Sequence, residues 1–225
     1  MGNVGMGNVG YITCRESSHR KTTCAPTDPL ARTCRIDAGG SSRPRTGEEL
    51  DRVFEEKFDL LLGRKTYEIF AAYWPYYDEE ASHGGIATLF NHIRKYVVSR
   101  SGEVDTSWAG SVLLRDIADV KRLKQEDGPN LVTQGSSELV HALLANDFVD
   151  AMSIFTLPVV LGGGKKLFAD GSAPHSLKLT ASRVSSNGLI VGHYERAGEI
   201  ETGDTTTDSP SEREIARRER MKREG

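Results

Sequence analysis

The sequence predicts an α/β fold with a mostly parallel central sheet and an antiparallel C-terminal hairpin at the sheet edge. Between residues 47 and 196, apolar runs of strand length alternate with amphipathic stretches of helix length. Near the end of this region, two β-forming segments flank Ser185-Ser186-Asn187-Gly188, which is typical of a hairpin turn. Strands that alternate with helices and then give way to a hairpin indicate a mixed sheet.

The composition divides the 225 residues into three regions. Residues 1–46 form an atypical segment that is predicted to be irregular, because from Cys14 onward it has two large aliphatic residues and no aromatic one. Residues 47–196 have the composition of a folded domain. Residues 197–225 form a charged tail that is predicted to be disordered, although Ser209-Pro210-Ser211-Glu212 has the pattern of a capping box that begins a short helix.

The charge balance bears on partners and compartment. There are 29 basic and 32 acidic side chains, and the pI is about 6.1. This balance does not favour nucleic acid or an anionic membrane as the main partner. No apolar run reaches the roughly 18 residues of a membrane span, and three cysteines, an odd number, argue against a disulfide scaffold. We therefore expect a cytoplasmic protein, and the spacing of the cysteines matches no usual metal site.

The first predicted elements lie between residues 48 and 74. Apolar residues recur at helical spacing over 48–57, and the apolar run 58–62 predicts a buried strand that stops at Gly63. Thr66 is expected to cap the next helix, which ends near Trp74 because a proline follows.

The middle of the domain repeats this alternation. Short β-forming runs predict strands at 95–99, 111–114 and 130–133. Helices are predicted at 116–125 and 138–146, where apolar residues fall on one side.

The last predicted elements are strands. The run 151–161 is nearly all apolar, which indicates a central strand covered on both faces, with Pro158 at a bulge or strand end. Residues 177–181 alternate in polarity, and 189–194 form the return strand of the hairpin.

Two strand-to-helix junctions share a pattern that suits phosphate. In Gly63-Arg64-Lys65-Thr66 two cations follow the glycine that ends a strand, and in Gln134-Gly135-Ser136-Ser137 two hydroxyls open a helix. Free N–H groups at a helix N-terminus attract anions, and glycine permits close approach. Either junction alone is compatible with an ordinary connecting turn, but two in one small domain favour a binding role. Neither matches the dinucleotide fingerprint or the P-loop.

Two further segments are candidates for binding. Ser99-Arg100 ends a predicted strand, where a hydroxyl and a guanidinium suit a phosphomonoester, although polar residues at a strand end are commonly just solvated. Leu161-Gly162-Gly163-Gly164 follows the long strand. Three consecutive glycines indicate positive φ or close approach of a ligand, or else a bulge that redirects the chain.

Four stretches that carry these features resemble the dihydrofolate reductase-like superfamily. The closest branch is the C-terminal reductase domain of the bifunctional riboflavin-biosynthesis deaminase/reductase, the RibD C-terminal domain. The stretches are LLLGRKTYE at 60–68, KYVVSRS at 95–101, LVTQGSSELVHALL at 131–144 and FVDAMSIFTLPVVLGGGKKLF at 148–168. The resemblance covers about residues 49–194 and implies a three-layer αβα fold.

The resemblance implies an NADPH-binding reductase. Gly63 to Thr66 correspond to a first phosphate-binding turn, and Gln134 to Ser137 correspond to a second turn that holds the pyrophosphate on a helix N-terminus. Ser99 with Arg100 corresponds to the strand end that recognises the adenosine ribose 2′-phosphate, and Leu161 to Gly164 would lie near the nicotinamide. The cofactor supplies the hydride, while the protein supplies alignment and a dry pocket.

The implied activity is hydride transfer from NADPH to a pterin-like or pyrimidine-like heterocycle. The turn GGGKKLF favours a riboflavin-biosynthesis-type 5-amino-6-(5-phosphoribosylamino)uracil reductase over a dihydrofolate reductase-like activity. Related domains commonly pair, so a homodimer is an expectation of the resemblance.

The N-terminal segment departs from the family pattern. Members begin with a strand that ends in a Ser-Leu-Asp-Gly-like turn, whereas here residues 10–13 match only the start of that strand. No catalytic acid is assigned, because Asp37 offers only a weak substitute for the missing turn. A shifted reading frame over residues 14–46 would explain the departure. The alternative is therefore a non-catalytic NADP-binding protein or an inactive reductase.

Overall fold

The computed structural model describes residues 6–16, 19–23, 57–77, 84–160, 166–168, 170–186, 188–200 and 209–224. Within these residues the strands are β1 (Met6–Glu16), β2 (His19–Thr23), β3 (Phe58–Gly63), β4 (Lys95–Val98), β5 (Ser111–Leu114), β6 (Asn130–Thr133), β7 (Ala151–Val160), β8 (Leu177–Val184) and β9 (Ile190–Arg196). The α-helices are α1 (Arg64–Ala71), α2 (Gly84–His92), α3 (Ile117–Gln125), α4 (Ser137–Ala145) and α5 (Glu212–Glu224), and a 3₁₀ helix covers Trp74–Tyr76.

The strands form one sheet in the order β5-β4-β3-β6-β2-β1-β7-β9-β8. From β5 to β2 each strand is parallel to the next, and from β2 to β8 each is antiparallel to the next. The predicted α/β fold is confirmed, with the C-terminal hairpin β8–β9 at one edge. Because β3 to β6 are parallel, their carboxyl ends lie along the same side of the sheet, which is where the candidate site forms.

Strand β7 has neighbours on both sides, β1 and β9. Met152, Ser153 and Phe155 are buried in it, as expected of a strand inside the sheet. Pro158 lies beyond the last β9 pair, Thr156–Ile190, and within the irregular end of the β1 pairing. The sequence prediction of a proline at a bulge or strand end is therefore confirmed, since no ladder hydrogen bond is lost there.

The hairpin turn also follows the prediction. Gly188 has φ +82°, and its amide donates to the carbonyl of Ser185 over 3.0 Å. Strand β8 is solvent-exposed from its second residue to its last, and Leu179 and Val184 are among its exposed side chains.

The N-terminal strands differ from the prediction that residues 1–46 are irregular. Strand β1 pairs with β7 from Asn8 to Thr13, and β2 pairs with β6 through Thr22 and Thr23. Backbone pairing with the strongly β-forming strand β7 stabilises β1, although the local composition does not predict a strand there. Of the rest of this segment, residues 1–5, 17–18 and 24–46 lie outside the described residues.

The helices match the prediction in part. Helix α1 begins at Arg64 rather than after Thr66, because strand β3 runs straight into it and Gly63 is the N-cap residue. The sequence reasoning missed α2, and the helix predicted at 48–57 lies outside the described residues except for its last position. Helix α5 occupies part of the tail that was predicted to be disordered, at the place where the capping-box pattern allows a short helix. No helix among the described residues is both long and apolar enough to cross a membrane.

A polar network supports the amino-terminal end of β4. Lys95 is fully buried, and its Nζ donates to the carbonyls of Asn91 and Ala109 and lies 4.3 Å from the ring centroid of Trp108. Burial lowers the pKa of Lys95 to about 8, against an opposing contribution from Asp59. These bonds fix the start of the strand whose other end carries Ser99 and Arg100.

Candidate functional site

The two predicted phosphate-binding turns touch each other. Strands β3 and β6 are parallel neighbours, so Gly63 and the turn that begins at Gln134 leave the sheet side by side. The amide of Gly63 donates to the carbonyl of Gly135 over 3.2 Å. Two segments far apart in sequence thus form one backbone surface at the carboxyl edge of the sheet.

Glycine is required where the turns meet. A Cβ on Gly63 would overlap Oγ of Ser136 and lie 3.1 Å from the Ser136 amide nitrogen. Gly135 has φ +117°, and a Cβ there would lie 3.2 Å from Oγ1 of Thr66. The absence of a side chain at these glycines therefore allows the two turns to pack closely against each other.

The helices that start here lack side-chain caps. Neither Gly63 before α1 nor Ser136 before α4 gives its helix a capping side-chain hydrogen bond within the described structure. Helix α3, by contrast, has a complete capping box in which Asp116 and Asp119 engage the first backbone amides. The first amides of α1 and α4 are left available to an anion, while those of α3 are satisfied by its own side chains.

The third predicted segment lies beside these turns. The register pairs Gly63 with Val98, so Ser99 and Arg100 follow the neighbouring strand end. Ser99 is buried, with Oγ 3.2 Å from Oγ of Ser101, and its amide donates to the carbonyl of Leu114. Arg100 is exposed. The fold therefore brings three of the four predicted segments to one edge.

The fourth predicted segment, Leu161-Gly162-Gly163-Gly164, lies outside the described residues. The chain that follows it is held by helix α4. Nε2 of His141 lies 3.2 Å from the carbonyl oxygen of Lys166 and 3.0 Å from that of Leu167, so this nitrogen is the donor. His141 thus links α4 to the segment after the glycines.

Cations of the first turn lie on the outer surface. Arg64 donates from Nη1 to Oε1 of Glu68 over 2.8 Å, and both side chains are more than 40% exposed, at 42% and 46%. An ion pair this exposed is weak, so a ligand phosphate competes readily for Arg64. Lys65 is exposed, and Thr66 is buried within the first turn of the helix.

Sequence reasoning missed two residues at this edge. Gly102 has φ +71°, and a Cβ there would overlap Nη1 of Arg115, whose Cζ would lie at 2.9 Å. Arg115 directly follows β5, just as Arg64 directly follows β3. The sequence pattern that could have identified Arg115 is the one already noted for Arg64, a cation directly after a parallel strand.

The assembled edge can bind a polyanion. It offers free helix amides, hydroxyls and several cations, but no acid–base pair or nucleophile with an activating partner is evident among its described residues. No group of three or more potential metal ligands occurs in the described part of the chain. A surface pocket lined by Asp147, His175 and Arg196 contains none of the predicted site residues.

Comparison with known proteins identifies the family of the chain. The profile of the RibD C-terminal domain matches residues 36–191, more than half of the chain. YyaP of Bacillus subtilis (strain 168), an uncharacterized protein, is 28% identical over 134 residues, which is 58% of this chain and 70% of YyaP. YwjB of the same organism, also uncharacterized, is 28% identical over 142 residues, which is 61% of this chain and 73% of YwjB.

A solved structure has the same fold. It is that of a Shewanella sp. PV-4 protein provisionally named as a riboflavin biosynthesis protein, with a TM-score of 0.50 and 19% identity. The match covers 74% of this chain and 86% of the Shewanella chain. The profile match begins at residue 36, ends within strand β9 and covers more than half of the chain. It shows that the chain belongs to the RibD C-terminal domain family.

Proposed function

We propose that the chain is an NADPH-dependent reductase that delivers a hydride to a pyrimidine-like or pterin-like heterocycle. The observation that carries the proposal is the contact between the two turns, in which Gly63 and Gly135 join the starts of α1 and α4. Two uncapped helix N-termini side by side suit the two phosphates of a dinucleotide. Membership of the family supports the reductase assignment.

The described residues fit such a cofactor. The overlap of a Cβ on Gly63 with Ser136 shows that the backbone surface tolerates no added side chain there. Arg64 and Lys65 border this surface, and Ser99 with Arg100 lies at the next strand end. The pyrophosphate would be held by the two turns, and the 2′-phosphate by the Ser99–Arg100 segment.

The bound cofactor would supply the hydride. The residues of this chain bind and orient it: the amides at the starts of α1 and α4 hold the phosphates, and the packed turns fix their separation. His141 holds the segment that follows Leu161 to Gly164, the stretch for which we propose contact with the nicotinamide.

The substrate we favour is 5-amino-6-(5-phosphoribosylamino)uracil. The related Shewanella protein carries a riboflavin-biosynthesis name, which supports this choice over dihydrofolate. The alternative is a non-catalytic NADP-binding protein, and the N-terminal strand favours it. Strand β1 lies antiparallel to both β6 and β7 and contains no Ser-Leu-Asp-Gly-like turn.

Titration of the purified full-length chain with NADPH and NADH by calorimetry tests the proposal. Substrate-dependent loss of NADPH absorbance is then measured with the ribosylaminopyrimidine and with dihydrofolate. We expect NADPH binding and oxidation with the pyrimidine. Binding without oxidation on either heterocycle would favour the non-catalytic alternative, and absence of NADPH binding would refute both. The proposed homodimer is tested in the same preparation by sedimentation equilibrium.

A further inference from the structure

Helix α4 holds the chain that follows strand β7. Nε2 of His141 lies 3.2 Å from the carbonyl oxygen of Lys166 and 3.0 Å from that of Leu167. Because a carbonyl oxygen only accepts hydrogen bonds, Nε2 carries the hydrogen and donates it to this pair of oxygens. The bonds go to the backbone, so the attachment does not depend on which side chains stand at 166 and 167.

The side chains of this segment reinforce the attachment. Leu167 is partly buried and packs against the hydrophobic core. Nζ of Lys166 lies 2.7 Å from each carboxylate oxygen of Asp170, so its charge is engaged within the same segment. His141 adds a polar link between the backbone of this segment and α4.

The same helix begins at the candidate site. His141 lies about one helical turn, roughly 6 Å along the axis, beyond Ser137, the first residue of α4. The first amides of α4 are among those that we propose for the pyrophosphate. One helix thus sets the distance between these amides and the carbonyls of Lys166 and Leu167.

The order of the strands gives the direction in which a dinucleotide would extend. Strand β1 is antiparallel to both β6 and β7, so β6 and β7 run the same way and end at the same edge of the sheet. The segment proposed for the 2′-phosphate follows β4, on one side of the two turns, and β7 lies on their other side. A ligand with its pyrophosphate on the turns and its adenosine toward β4 therefore extends its nicotinamide half toward β7.

We infer that His141 is a positioning residue for the nicotinamide half of the ligand, and that it acts through the backbone of Lys166 and Leu167. It holds the chain after β7 at a fixed distance from the pyrophosphate amides, and loss of the donor removes this constraint. The inference rests on the proposed function, under which the chain after β7 contacts the nicotinamide. Binding of the nicotinamide should therefore depend on His141, whereas binding of the phosphates should not.

The test compares two ligands that differ by the nicotinamide. Affinities for NADPH and for 2′-phospho-ADP-ribose, which lacks this group, are measured by calorimetry on the full-length chain. We expect His141→Ala to weaken NADPH by about two- to tenfold, the effect of a hydrogen bond, and to leave 2′-phospho-ADP-ribose unchanged. His141→Met also removes the donor and gives the same result if the alanine variant folds poorly. His141→Gln retains an N–H donor and should keep the wild-type ratio of the two affinities.

His92→Ala is the matched control. His92 is the last residue of α2, and its Nδ1 lies 2.7 Å from the carbonyl oxygen of Thr88 in the same helix. The control also removes an imidazole that contacts a carbonyl, but that carbonyl belongs to α2 itself. The ratio of the two affinities should keep its wild-type value.

The outcomes separate the two proposals. If wild-type protein binds both ligands with equal affinity, or if His141→Ala and His141→Met weaken both ligands equally or neither, the role of His141 is refuted and the proposed function stands. A His141→Gln variant with the same loss as the alanine variant would refute the role of the donor. If wild-type protein does not bind NADPH, the proposed function fails, and the role of His141 fails with it.

Discussion

Ser136 fills the space that a side chain on Gly63 would need, with its Cβ 3.2 Å from the position of the absent Cβ. The relationship joins residues of two different turns, and it makes each turn a packing partner of the other. The positions of the helix amides that we propose for the pyrophosphate therefore depend on a glycine at 63.

Replacement of Gly63 by Ala should separate the two turns. We expect affinity for NADPH and NADH to fall about tenfold or more, and the free energy of unfolding to fall by about 1–3 kcal/mol, as for other overpacked sites. Calorimetry and urea unfolding measure the two effects. Gly198→Ala is the matched control, because nothing lies within 4 Å of a Cβ built at Gly198.

A second substitution checks the cause. Ser136→Ala in the Gly63→Ala background removes the overlapping Oγ and should restore part of the lost stability. If the double variant is no more stable than Gly63→Ala, the overlap with Oγ is not the reason for the loss.

Replacement of Glu68 by Gln should release Arg64. Exposed ion pairs contribute about 0.2–1 kcal/mol, so freeing Arg64 should tighten NADPH and NADH alike by about 1.4- to 5-fold. The equal effect is expected because Arg64 borders the pyrophosphate turn, which both cofactors share. Glu219→Gln on α5 makes the same charge change and should leave both affinities unaltered. Weaker binding by the Glu68 variant would contradict the proposed place of Arg64.

Stability should depend on pH through Lys95. Its pKa is lowered to about 8 in the folded chain from an ordinary 10.5, chiefly by burial, so between these pH values the unfolded chain binds the proton more tightly. The free energy of unfolding should therefore gain a rising contribution as pH increases from about 8 to about 10.5. Urea unfolding across this range measures the slope, and Lys95→Met should remove that contribution. Parallel curves for the two proteins would contradict the assignment.

Lys124 and Asp150 form a nearly buried ion pair. Nζ lies 2.9 Å from Oδ2, the side chains are 11% and 9% exposed, and Nζ also donates to the carbonyl of Phe148. Lys124→Met should cost about 3 kcal/mol, because it leaves a carboxylate in a poorly solvated place. The double variant Lys124→Met/Asp150→Leu should lose less than the two single variants together. Lys121→Met, on the exposed side of α3, should change the free energy of unfolding by less than about 0.5 kcal/mol.

The sequence predicted those parts of the fold that local patterns determine. Strand β3 and the strand-to-helix junctions at Gly63 and Gly135 follow from apolar runs that end in glycine. The hairpin follows from its turn residues. Helix α2 was missed because it opens with two glycines, which are poor helix formers, and its stability comes from packing against the 3₁₀ helix.

Contacts between distant segments could not be predicted. The overlap of a Cβ on Gly63 with Ser136 depends on the register that places β6 beside β3. The overlap of a Cβ on Gly102 with Arg115 likewise depends on the position of a side chain from another strand end. The prediction that Thr66 caps the helix was wrong. A threonine hydroxyl is a common helix cap, but the chain enters α1 directly from β3, so Gly63 is the N-cap residue. Strands β1 and β2 depend on neighbours that their own composition does not reveal.

The contrast between one capped and two uncapped helices links ligand binding to folding. Side chains of helix α3 accept hydrogen bonds from its first backbone amides, whereas no side-chain cap bonds the first amides of α1 and α4 in the described structure. A bound anion can accept hydrogen bonds from those amides instead. A ligand that binds only the folded chain adds about 2.7 kcal/mol of stability at a hundred times its dissociation constant. Under the proposed function, the thermal resistance of this domain should therefore vary with the dinucleotide supply of the cell, so that a cell depleted of the cofactor would also hold less of the folded protein.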